Sequence, residues 1–143
     1  MNTYELDEDD FNSEIVETLR SLCERYMLRS NNQVFSGRNR NVFILNNNIV
    51  VKIPICLDGF IDNDWEGSVS NADDDPEKIR LARTRLVYYK GVPILFMEYV
   101  EYAGKREIVK RLGYEPDWVM SVDSGQVGFN AKNQLVAFDY GRT

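Results

Sequence analysis

Val42-Phe43-Ile44-Leu45, then Asn46-Asn47-Asn48, then Ile49-Val50-Val51-Lys52-Ile53: this stretch decides the fold class. Both flanking runs are rich in β-branched and aromatic side chains, which suit a pleated, half-buried surface. The asparagines between them tolerate the left-handed backbone that a tight hairpin requires. Gln33-Val34-Phe35 reads as a further short strand, joined to the first run through the polar turn Ser36-Gly37-Arg38-Asn39-Arg40-Asn41. Residues 33–53 therefore predict a three-stranded antiparallel meander.

Outward from the meander the period changes. Upstream, Phe11, Ile15, Val16, Leu19, Leu22, Cys23, Tyr26 and Met27 recur at three- and four-residue steps, which predicts an amphipathic helix over 11–31. Asp10 is its expected N-cap, and residues 1–10 are expected to form a flexible tail. Downstream, Asp62-Asn63-Asp64-Trp65-Glu66 is expected to open a short helix, and Asp75-Pro76-Glu77 another, with proline at its first position. Leu86–Tyr89 and Ile94–Met97 form a hairpin around Lys90-Gly91, and Lys105–Leu112 a helix stopped by Gly113. Val127–Phe129 and Leu135–Phe138 form a last hairpin around Lys132-Asn133. The expected class is α+β: an antiparallel sheet, an N-terminal helix, further short helices and a C-terminal hairpin, in one domain over 1–143.

Composition removes several functions. The chain has 143 residues and a net charge of −6, so a general nucleic-acid-binding role, which needs a basic face, is not expected. No apolar run reaches the length of a membrane span and no signal peptide is legible, which points to a cytoplasmic protein. Cys23 and Cys56 are then expected as thiols rather than a disulfide. There is no histidine, which excludes imidazole-based triads and zinc sites. A metal here would be a hard cation held by carboxylates, such as Mg²⁺.

Three residues invite a chemical reading. Lys52 lies inside the apolar run Val50-Val51-Lys52-Ile53-Pro54. Strand alternation sets it opposite Val51 and Ile53, and read alone it points at water from an edge strand. Glu66 follows on the next helix. It is either a partner charge for Lys52 or, in Asn63-x-x-Glu66, half of a near-capping box. Asp139 ends the apolar run Leu135-Val136-Ala137-Phe138, with Gly141 two residues on; it is either a turn residue or a metal ligand at a strand end.

The order of these features resembles the protein-kinase-like superfamily: turn, strand lysine, helix glutamate, hairpin, Met97-Glu98-Tyr99-Val100, polar loop, hairpin, Asp-x-Gly. The resemblance runs from about Val34 to the C-terminus and implies a small amino-terminal lobe without a full carboxy-terminal lobe. It implies that Ser36–Asn41, with Gly37, stands at the phosphate-covering loop, and that Lys52 grips the phosphates with Glu66 as its partner. Glu98 to Val100 would meet the adenine, and Asp139 would hold Mg²⁺. The pattern also departs from the family. Gly37 is the sole glycine of the loop, and the usual spacing sets Ser121 and Gln126 where the catalytic aspartate and the metal-binding asparagine belong. Gln126 retains an amide oxygen for the metal, and Asp123 is the nearest carboxylate that can act as base.

Two functions follow as expectations. One is a minimal ATP- and Mg²⁺-binding phosphotransferase of the viral or mobile-element accessory type. The other is an inactive, pseudokinase-type module that binds a protein partner, with Trp65, Trp118, Tyr88, Tyr89 and Tyr102 as interface anchors. An incomplete lobe would leave apolar surface uncovered, so a homodimer is expected.

Overall fold

The computed structural model describes residues 3–45, 48–69, 78–122 and 125–138. The chain divides into two compact units, Met1–Ser68 with Thr84–Met97, and Val69–Arg83 with Glu98–Thr143. Among the described residues there are three α-helices and eight strands, in an antiparallel-paired α+β arrangement as expected.

The first unit is built on the meander. β1 (Val34–Ser36), β2 (Arg40–Ile44) and β3 (Ile49–Pro54) pair antiparallel, with Val42 opposite Lys52. The polar turn is shorter than expected, because Arg40 and Asn41 already belong to β2. Asn46 and Asn47 lie outside the described residues, and Asn48 carries the left-handed backbone at φ 63°. β4 (Thr84–Tyr89) and β5 (Val92–Glu98) form the second hairpin. Lys90 and Gly91 both take positive φ, the combination a two-residue turn between twisted strands needs. The sheet order is β1-β2-β3-β5-β4.

Helix α1 (Ser13–Arg29) covers one face of this sheet. Its Leu19, Leu22, Cys23 and Tyr26 pack with Phe43, Val51, Ile53, Val92 and Ile94. Asn12, not Asp10, caps it: the Asn12 side chain accepts from the Ile15 amide at 2.9 Å. Glu8–Asp10 form a 3₁₀ turn of their own and Phe11 is extended, so the helix starts three residues after Asp10. Asp10 caps a different helix, accepting from the Leu57 amide at 3.0 Å. Residues 4–10, expected as a loose tail, are bonded to the sheet. Asn41 exchanges two hydrogen bonds with the Glu5 backbone (2.9 and 2.7 Å), and the Asp7 amide donates to the Ile55 carbonyl at 2.9 Å.

Helix α2 (Leu57–Ser68) covers the opposite face and begins five residues earlier than expected. Its first amide is satisfied by Asp10, 47 residues away, so no local signal marks the start. The helix expected from Asp75 falls on residues 70–77, which lie outside those described, and Lys78–Arg80 are not helical.

In the second unit β6 (Glu101–Tyr102), β7 (Val127–Phe129) and β8 (Leu135–Ala137) form an antiparallel sheet in that order. The last hairpin is where the sequence predicts it, with Asn133 at φ 62° and the Asn130 side chain accepting from the amides of Lys132 and Gln134. Helix α3 (Lys105–Leu112) ends at left-handed Gly113, also as predicted. Ala103, Ile108, Val119, Val122, Val127, Phe129, Leu135 and Ala137 form this unit's core.

Candidate functional site

Cross-strand partners in an antiparallel pair share a face. The β2–β3 register sets Asn41, Phe43, Val51 and Ile53 toward α1, and Arg40, Val42, Val50 and Lys52 toward α2. Two cations of the hairpin thus stand on one side, with Asp62, Asn63 and Glu66 of α2 laid against them.

Glu66 is fully buried between the cations. Its Oε1 lies 3.0 Å from Lys52 Nζ, and its Oε2 lies 2.6 Å from Arg40 Nη2. Lys52 is 4% exposed and Arg40 6%. The solvent-facing reading of Lys52 fails because β3 is an interior strand and α2 covers that face. The capping reading of Glu66 fails because Asn63 sits in the middle of α2 rather than before it.

Asn63 has another task. Its Nδ2 donates to the carbonyls of Lys52 (3.0 Å) and Pro93 (2.8 Å), while its Oδ1 accepts from Arg40 Nη1 at 3.2 Å. Pro93 lies in β5, which has neighbours on both sides, and proline brings no donor to the ladder. Asn63 supplies side-chain donors at that place. It also ties α2 to β3 and β5 one turn before Glu66, and residues three apart share a helix face. Asn39 Nδ2 donates to Asp62 Oδ2 at 2.8 Å, fixing the β1–β2 turn to the same helix.

A carboxylate buried between two cations is stable only when the whole group is hydrogen-bonded, since each charge has lost its water. The arrangement also holds the Lys52 ammonium in a fixed position at low dielectric. A cation so placed interacts strongly with a polyanion, phosphate above all, because no reorganisation is needed to meet it.

The other expected site residues fall elsewhere. Gly37 is in the first unit, in the β1–β2 turn, where its amide donates to the Arg40 carbonyl at 2.9 Å. A side-chain carbon at Gly37 would meet only that carbonyl, at an ordinary 3.6 Å, so the fold itself does not require glycine there. Glu98, Val100 and Gln126 belong to the second unit. The Glu98 amide donates to the Arg83 carbonyl at 3.0 Å, and its Oε2 accepts from the Arg83 amide at 2.7 Å, so both groups are engaged within the unit. Val100 lies in the loop between β5 and β6. Gln126 is half-buried before β7, its carbonyl accepting from the Phe138 amide at 3.0 Å. Ser121 closes a 3₁₀ turn, its hydroxyl bonded to the Trp118 carbonyl at 2.7 Å. Asp123 and Asp139 lie outside the described residues.

Arg40 and Asn63 are the site residues that the sequence reading missed. Arg40 was hidden in a polar turn and Asn63 in a cap pattern. The register would have revealed Arg40, since any pairing of Val42 with Lys52 sets residues 40 and 52 on one face.

No family model matches the chain, and no curated protein matches it.

Proposed function

We propose that this chain is a minimal kinase-like nucleotide binder in which Lys52 meets the phosphates of ATP. One observation carries the reading: a buried lysine on the third strand of an antiparallel sheet, paired at 3.0 Å with a glutamate on the helix that follows. Protein kinases use this pair to grip the α- and β-phosphates. In the proposed complex Glu66 keeps the Lys52 side chain extended, and Arg40 keeps Glu66 in place. By the kinase resemblance the Glu98 carbonyl and the Val100 main chain would meet the base, and the Gly37 turn would let main chain approach the phosphates. Asp139 and Gln126 are the proposed Mg²⁺ ligands, and the metal would neutralise phosphate charge. The described residues fit the phosphate part of this assignment through the Lys52–Glu66–Arg40 group. If phosphoryl transfer occurs, Asp123 is the proposed base, accepting the proton of the attacking hydroxyl. A reducing, cytoplasmic setting fits the two free cysteines.

The test is ligand-linked stability. ATP with Mg²⁺ should raise the thermal midpoint by mass action, and Lys52→Met or Asp139→Ala should abolish the rise. No shift at millimolar ATP defeats the proposal. It would leave the interaction-module reading, which the exposed Leu57, Ile61 and Trp65 of α2 support independently.

A further inference from the structure

Helix α2 presents a second face, turned away from Glu66. Leu57, Ile61 and Trp65 recur every four residues there and are between 40% and 52% exposed, forming one apolar ridge. Asp58 and Asp64 flank the ridge, both exposed, and α2 contains no basic residue. Tyr88 on β4 extends the patch, its hydroxyl donating to Asp64. Large apolar side chains grouped in this way mark an interaction surface rather than ordinary scatter.

Helix α3 carries the opposite combination. Ile108 is buried in its own unit's core, while Val109 and Leu112 are exposed. Lys105, Arg106 and Lys110 stand exposed around them. One face is apolar and acidic, the other apolar and basic. Pairing α2 with α2, or α3 with α3, would bring like charges together across a drying interface, which is costly. Only the mixed pairing satisfies both the apolar ridges and the charges.

We propose that α3 of one copy docks on the outer face of α2 of a second copy, so that the chain self-associates. The apolar ridge Leu57-Ile61-Trp65 packs against Val109 and Leu112, as helix ridges pack into facing grooves. Asp58 and Asp64 meet Lys105, Arg106 and Lys110 at the rim. Every copy carries one face of each kind, so each can both offer α3 and receive it, a heterologous contact. This assignment does not depend on nucleotide binding, because it uses the side of α2 opposite Glu66.

Charge exchange tests it. Sedimentation velocity should show self-association at low salt, with the dissociation constant rising about tenfold or more as added salt screens the rim. The α3 variant Arg106→Glu/Lys110→Glu should be monomeric, and so should the α2 variant Asp58→Lys/Asp64→Lys. Mixed in equal amounts, the two variants should associate again, since every α3–α2 contact between unlike variants is then complementary. That recovery also shows that each variant is folded. A wild-type monomer at low salt and high concentration overturns the proposal, as does an assembly that neither variant weakens, or a mixture that stays monomeric.

Discussion

Glu66 answers two cations with one carboxylate, and this makes the two members of the Lys52–Glu66 pair unequal under mutation. Glu66→Gln leaves Lys52 and Arg40 buried without their shared countercharge, and should cost about 3–5 kcal/mol. Lys52→Met leaves Glu66 still bonded to Arg40, so it should cost clearly less while removing the ATP-dependent shift. Urea denaturation of the two variants checks the ranking. Cys23 is a second residue whose surroundings set its chemistry. Burial pushes its thiol up to about 12, against an ordinary value of about 9. A raised thiol contributes stability that is fully present below the ordinary value, where folded and unfolded chains both hold the proton. As pH rises the unfolded thiol ionises first, and the contribution is lost progressively up to about 12. The thermal midpoint of the wild type should therefore fall more steeply across that window than that of Cys23→Ala.

At the scale of elements, glycine decides how closely backbones approach. A side-chain carbon at Gly59, in the first turn of α2, would run into the Asn39 carbonyl and the Cα of Pro54. One at Gly67, near the other end of the helix, would lie 2.7 Å from the Leu86 Cβ. Both glycines let α2 lie against the sheet deeply enough for Glu66 to reach Lys52. Gly59→Ala and Gly67→Ala should each destabilise the fold by about 1–3 kcal/mol. Gly37→Ala has an ordinary contact only and should leave stability unchanged. If ATP approaches the β1–β2 turn, Gly37→Ala should still weaken the nucleotide-induced thermal shift. Strand β6 belongs to the same scale. Two exposed residues, Glu101 and Tyr102, carry no strand pattern, and what admits them is Gly128 opposite Tyr102, a glycine inside a strand where another backbone comes close. It packs beneath the Glu101 carbonyl.

At the scale of the whole molecule, the charge of −6 is unevenly spread. Helix α2 is wholly acidic in its charged residues and α3 mostly basic, and such separation directs association more than it stabilises a fold. The Lys52–Glu66 group and the outer ridge occupy opposite sides of α2. Lys52→Met should therefore leave the sedimentation behaviour unchanged, and the charge-reversed variants should keep the ATP-induced thermal shift. Loss of both properties in one variant would show that the two faces are coupled through the helix.

The sequence by itself determined the elements whose signals are local. The meander, the Lys90-Gly91 hairpin, α1, and α3 with its glycine stop all follow from period and turn chemistry, each acting over a few residues. The order of Lys52 and Glu66 along the chain was legible in the same way. Tertiary structure alone decided what those residues touch. The α2 start rests on Asp10, the tail is tied down by Asn41, and Lys52 is buried because the helix after its strand folds back over its face. Arg40 and Asn63 joined the group only once strand register and helix docking had set them beside Glu66. Each of these contacts joins different elements across 14 to 47 residues, and no local period encodes such a contact.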